Sequence, residues 1–305
     1  PTRKQVLASR LNIAPETLSR VLRDLTRYRW DQVAIRTAER QRVEKLLEDA
    51  QIKLSAVVSD IFGVSGRDML EALLAGQRDP TVLAQFARGR MRGKITDLEE
   101  AFTGRFDEHH AFLLEKMLTR IDMVTADIAD LEARIDAELV PFEEVVERLD
   151  EIPGVGRTAA AVIISEIGVD MSRFPTAGHL CSWARFSPGI KESAGRKKGN
   201  AATGHGNAYL ARVLGEAAVV AGKTDTFLGE RYRRIARRRG KKKAIVAVGR
   251  SILIITWHLL SDPDARYRDL GSHYYDAHQS SATRRRQHVR QLEALGYKVT
   301  LEPAA

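Results

Sequence analysis

Cysteine is all but missing from this chain: Cys181 is the only one in 305 residues. That excludes a disulfide framework and any thiolate metal cage. No run of about 18 apolar residues is read in the sequence, and no charged-then-apolar signal segment opens it. The expectation is therefore a cytoplasmic chain with no membrane partner. Acid is short as well. Its 40 Asp and Glu against 49 Lys and Arg leave a net charge of +9, with a pI near 9.7. The excess is clustered, so a polyanionic partner outranks a small acidic substrate. The first residue is Pro1 rather than Met, from which an absent N-terminal portion is expected. At 34.0 kDa there is room for one large domain or two to three small ones.

What is present is helical pattern. Residues 1–25 read as a helix-turn-helix remnant. Leu7, Leu11, Ile13, Leu18 and Val21 supply apolar contact, Asn12 suits a left-handed turn, and Pro15 suits the first turn of a helix from Pro15 to Leu25. Thr17, Ser19 and Arg20 on that helix are candidate contacts to base edges and phosphates. The wording from Ala14 to Leu22 resembles the winged helix-turn-helix of Crp/Fnr-type regulators, although no wing follows. The alternative is an ordinary helical hairpin. Residues 26–105 read as a helical linker region, in which Val43, Leu47, Ala50, Leu54, Val57 and Ile61 recur at four and three. Residues 106–141 read as a coiled-coil helix with a seam of Leu114, Met117, Ile121, Val124, Ile128, Leu131, Ile135 and Leu139. Either seam suits packing within one subunit or a homo-oligomer. Pro141 ends the second helix.

Residues 142–262 read as a compact basic domain built on a helix-hairpin-helix. Phe142 to Leu149 forms one helix, Thr158 to Ile167 the other, and Ile152-Pro153-Gly154-Val155-Gly156-Arg157-Thr158 the turn between them. Such a turn aims backbone N–H groups at a phosphate without reading sequence, which makes Gly154, Gly156, Arg157 and Thr158 candidate DNA contacts. Phe174, Leu180, Trp183 and Phe186 read as core rather than as base-stacking residues. Arg231 to Lys243 holds nine basic residues, of which Arg234, Arg237, Arg238, Lys241 and Lys242 are candidate phosphate contacts. Ala244 to Leu260 should be a core helix. Residues 263–305 read as an exposed basic polar tail with Arg284-Arg285-Arg286. The fold class is mainly α: long coiled-coil-like helices followed by a compact helical domain.

From Leu22-Arg23-Asp24-Leu25 to about Ser261 the chain resembles the C-terminal two-thirds of IS110-family (IS116/IS110/IS902) insertion-sequence transposases. The resemblance is carried by Leu46-Leu47-Glu48-Asp49-Ala50-Gln51-Ile52-Lys53-Leu54, Ile61-Phe62-Gly63-Val64-Ser65-Gly66, the Ile-Pro-Gly-Val-Gly turn, Phe186-Ser187-Pro188-Gly189, Gly204-His205-Gly206-Asn207-Ala208-Tyr209-Leu210 and the terminal basic helix. It implies an N-terminal RuvC-like α/β nuclease domain with four metal-binding carboxylates, a coiled-coil linker and a transposase domain with a nucleophilic serine. It also implies a structured guide RNA as partner.

Residue by residue, the serine carries over to Ser193, followed by Ala194-Gly195 where the family has Gly at the second small position. Lys191, Arg196, Lys197 and Lys198 would neutralise the phosphate under attack. The carboxylates do not carry over. Residues 1–60 hold no strand ending in Asp, the pairs Glu99-Glu100 and Glu143-Glu144 suit helix surfaces, and His109-His110 and His205 lack a second ligand set. No metal site is expected, and Mg²⁺ enters only if a RuvC-like domain is supplied. The reading is a chimeric or truncated product joined at Leu22 to Leu25. Two functions stay open: a transposase or recombinase acting in DNA transposition through Ser193, and a DNA-binding regulator or dominant inhibitor without catalysis. A recombination accessory protein built on the hairpin alone fits less of the chain.

Overall fold

The computed structural model describes residues 15–187, 192–193, 196–197, 204–278 and 281–302. The fold is mainly helical and divides into two compact units, Asp24–Glu138 and the remainder, 1–23 with 139–305. Charge divides with them. Asp24–Glu138 holds 17 Lys and Arg against 22 Asp and Glu, a net −5, whereas the remainder holds 32 against 18, a net +14.

Helix α1 (Pro15–Asp49), which belongs to the acidic unit from Asp24 onward, does not end at Leu25 as the sequence reading has it. No glycine or proline interrupts residues 16–49, so nothing breaks the ladder. The first half of the expected helix-turn-helix lies outside the described residues. Gln51, with φ 61°, turns the chain away from α1. Short helices α2 (Leu54–Val57), α3 (Val64–Leu74), α4 (Pro80–Ala84) and α5 (Ile95–Ala101) follow, and then the long α6 (Glu108–Leu139).

Helices α1 and α6 run antiparallel. Arg29 Nε donates to Glu132 at 2.9 Å, Arg36 Nη1 to Thr125 at 3.5 Å, Arg120 pairs with Glu39 at 3.9 Å and His110 with Asp49 at 3.5 Å. Advance along one helix is matched by retreat along the other, 20 residues against 22 from the first pair to the last. Six residues of the second seam, Leu114, Ile121, Val124, Ile128, Ile135 and Leu139, are buried in the chain itself. Met117 is only half-buried while Leu118, outside the seam, is buried, the drift expected of 3.6 residues per turn against a 3.5 repeat. Leu114, Leu118 and Ile121 share one core cluster with Val43, Leu47 and Leu54 of the first seam. The seams therefore meet partners within the chain, and a homo-oligomer would need other residues.

In the basic unit, α7 (Glu143–Asp150) and α8 (Arg157–Ile167) form a pair, followed by α9 (Ala177–Trp183). Two-residue strands β1 (Glu192–Ser193) and β2 (Arg196–Lys197) pair antiparallel. Then come α10 (Ala208–Ala221), α11 (Phe227–Arg239), α12 (Lys241–Ser261), α13 (Tyr274–Ala277) and α14 (Ser281–Ala294). Helix α12 is the centre of this unit, in contact with α9, α10 and α11. It is long and apolar enough to cross a membrane, a match the sequence reading did not count. Its Val248, Ile252, Leu253, Thr256 and Leu259 are buried in the unit, as for the core helix of a globular domain.

Arg148 of α7 is itself buried. Its Nη1 donates to the carbonyls of Leu259 at 2.6 Å, Asp262 at 3.0 Å and Pro263 at 3.1 Å. These close the C-terminal end of α12, where carbonyls lack intrahelical partners. Cys181 is buried, and burial pushes its thiol up from the usual range, which leaves it an inert packing residue.

Candidate nucleic-acid interface

The α7–α8 turn places its two glycines in different roles. Gly154 has φ 89°, and a Cβ there would stand 2.2 Å from the Ala217 carbonyl oxygen of α10. Conformation and close approach both require glycine, so Gly154 seats the turn on α10. Gly154→Ala should lower stability by about 2 kcal/mol or more. A urea midpoint within error of the parent would sink that account. At Gly156 (φ −92°, ψ 177°) an added Cβ would meet only Asp150 Oδ1, at 4.0 Å. Gly156 begins α8 without a side-chain cap, and Gly156, Arg157 and Thr158 are exposed. The first N–H groups of α8 are thus presented outward, as a phosphate requires. Arg157 is engaged: its guanidinium donates twice to Glu143, at 2.6 and 3.1 Å. A half-exposed pair of this kind is worth no more than about 1 kcal/mol, so a phosphate can compete for it.

The basic run Arg231 to Lys243 is not one helix. Gly240 (φ 86°, ψ 159°) ends α11 and begins α12, and the corner sorts the cations. Arg233 donates to Thr224 O at 2.8 Å and pairs with Glu230. Arg231 Nη1 donates to the Tyr275 hydroxyl at 3.0 Å, and Arg234 lies over the Tyr275 ring at 4.7 Å. Arg237 reaches Glu230 at 3.2 Å. Arg238, Arg239, Lys241, Lys242 and Lys243 stand exposed around the corner, and among the described residues no acidic group pairs with them. The two arginines close α11 in agreement with its dipole, whereas the three lysines occupy the first turn of α12 against it. A helix start carrying three lysines favours an anion.

Ser193 lies in β1, in register with Arg196 of β2. Arg196 is exposed. The side chains of Ser193 and Lys197, and Lys191 and Lys198 altogether, lie outside the description. So do the side chains of Thr17 and Ser19 on α1, where Arg20 is exposed. The two ends of the segment that carries the hairpin are well defined. On the exit, Phe186 packs so closely on α12 that a Cβ at Gly249 would be 2.7 Å from its ring, and Arg250 donates to Phe186 O at 3.3 Å and to the Ser187 hydroxyl. On the return, Asn207 caps α10 by accepting from Leu210 N at 3.0 Å and donates to the buried Glu166 at 2.5 Å. Gly206 lies against Ala184 O, where a Cβ would be 2.8 Å away. Arg185, at φ 62°, stands between the two ends.

Two features escaped the sequence reading. Trp183 is not core: it is 45% exposed, while Phe174, Leu180 and Phe186 are buried. The segment after Pro263 is more than a polar tail. Tyr267 N donates to Glu151 of the hairpin turn at 2.8 Å, Asp269 accepts from Phe227 N at the start of α11 at 3.0 Å, and the Tyr275 ring stacks on Phe227 at 5.4 Å. Burial, followed by the hydrogen bond to Asp269, pushes the Tyr267 phenol up. The aromatic doublet Tyr274-Tyr275 was the available signal. Among the described residues no three His, Cys, Asp or Glu stand together as a metal-ligand set.

Residues 146–233, from α7 into α11, match the family described as Transposase IS116/IS110/IS902. A relative in Streptomyces coelicolor, described as an insertion element IS110 uncharacterized 43.6 kDa protein, is 35% identical over 136 residues. The match covers 43% of this chain and 32% of the relative, so the chain spans about a third of the length of the curated relative it matches.

Proposed function

We propose that the basic unit is the DNA-binding part of an insertion-sequence transposase and that it grips phosphate through two elements, the uncapped start of α8 and the Gly240 corner. The observation that carries this reading is the corner. Five exposed cations, Arg238, Arg239, Lys241, Lys242 and Lys243, occur within six residues, in a unit whose net charge is +14. Charge of one sign at that density gives phosphate-dominated, sequence-independent affinity. Binding of the full chain to duplex DNA, followed by anisotropy across a salt series, should fall with a log–log slope of about −4.5 if those five cations each neutralise one phosphate. A flat salt response would remove the reading. The same cations suit a structured guide RNA, and competition between that RNA and duplex DNA tests whether one surface serves both.

Chemistry at Ser193 is the second part of the proposal. The hydroxyl would attack a phosphorus whose charge Arg196 and its neighbours neutralise, displacing the leaving strand oxygen and giving a serine–phosphate ester. Support comes from the hairpin that pairs Ser193 with Arg196 and from the fixed ends of its segment. A DNA substrate with an activated leaving group, offered with a RuvC-like domain in trans, should trap an adduct lost in Ser193→Ala. Retention of DNA binding with no adduct in either protein would favour the regulator or inhibitor.

A further inference from the structure

Trp183 ends α9 two residues before the left-handed Arg185 and four before Ser187, the last described residue ahead of the hairpin segment. Its indole is 45% exposed, although it is large and apolar and Cys181 and Ala184 beside it are buried. The ring is held in place on one side, where its centroid lies 5.4 Å from that of buried Phe174 at 57°. Phe174 is itself fixed, because its carbonyl accepts from Trp257 Nε1 at 2.9 Å. Arg173 lies over the Phe174 ring at 6.0 Å, and both Arg173 and Arg185 are exposed. A buried aromatic thus supports an exposed one, with Arg173 over the supporting ring.

We propose that this surface is a stacking subsite for an unpaired nucleobase of a DNA strand. An aromatic face suits any base, and the exposed guanidinium groups of Arg173 and Arg185, near it in sequence, suit phosphates. Duplex DNA cannot use the subsite, because its bases are already stacked on one another. A strand with an unpaired base can. The basic charge of this unit selects a nucleic acid over an apolar peptide as the occupant. The inference rests on the DNA-binding reading and adds to it a preference for unpaired bases that phosphate contacts alone do not give.

The test compares wild type, Trp183→Ala and Trp183→Phe, each as the full chain, on an unstructured oligo-dT and on a duplex of equal length. Trp183→Ala should weaken oligo-dT binding roughly 5- to 150-fold and change duplex binding less than twofold. Trp183→Phe should keep most of the single-strand affinity. Saturating oligo-dT should also quench tryptophan emission in wild type, with the quench much reduced in Trp183→Phe. Unchanged oligo-dT affinity in Trp183→Ala, an equal loss on duplex, or equal quenching in wild type and Trp183→Phe would overturn the subsite. If wild type binds neither probe, it is the DNA-binding reading that fails.

Discussion

Arg148→Ala should destabilise the chain by about 3–5 kcal/mol. The loss is this large because Arg148 is 4% exposed and binds at a helix end, where carbonyls lack intrahelical partners. Its Nη1 satisfies the carbonyls of Leu259, Asp262 and Pro263, and its Nε donates to Glu144 O at 3.3 Å. Alanine leaves a cavity and several polar atoms without a donor, each costing about 1–3 kcal/mol if water cannot reach it. Arg148→Lys should recover little, since an ammonium on a flexible stem does not reproduce the planar fork. Chemical denaturation of the full chain measures both variants. A loss under about 1 kcal/mol for Arg148→Ala would mean that the α12 end is solvated without it.

Replacing Lys241, Lys242 and Lys243 together by Gln should move binding and stability in opposite directions. On DNA, losing three phosphate contacts reduces the log–log salt slope by about 2.7 and weakens binding roughly 100-fold near 0.15 M salt. In the free protein the same change removes three positive charges from the first turn of α12. Each lysine there opposes the helix dipole by about 0.3–1 kcal/mol, so the variant should be more stable, with a higher denaturation midpoint. Salt titrations and denaturant curves on one preparation decide it. If both affinity and stability fall, the lysines are structural and the corner is not a phosphate site.

The opposition of those effects shows where sequence reading succeeds and where it stops. Helix content and the α7-turn-α8 pair were legible because glycine, proline and apolar period act locally. Gly154 and Gly156 look alike in sequence, but they separate only when Ala217 of α10, more than 60 positions along the chain, is found against one and not the other. The nine cations likewise read as one block. Gly240 and the contacts of Glu230 and Tyr275 divide them into arginines that hold the fold and residues left to solvent. Arg148 and Glu166 carried no signal, since burial of a charged residue depends on distant carbonyls and amides. Trp183 was assigned to the core because large aromatics usually belong there, and only the fold reveals its exposed face. The coiled-coil period was visible, but period alone cannot tell a partner in the same chain from one in another.

The unequal division of charge has a consequence for encounter with DNA. A long-range field acts on each unit before any contact forms: it attracts the +14 unit and repels the −5 unit. On the DNA-binding proposal, the basic unit is therefore the part drawn to a polyanion and the acidic unit the part opposed by it. Association should be fast at low ionic strength and slow steeply as the Debye length shrinks to about 8 Å at physiological salt. On the proposed DNA-binding reading, the acidic helices would thus enter the rate of capture through their charge alone.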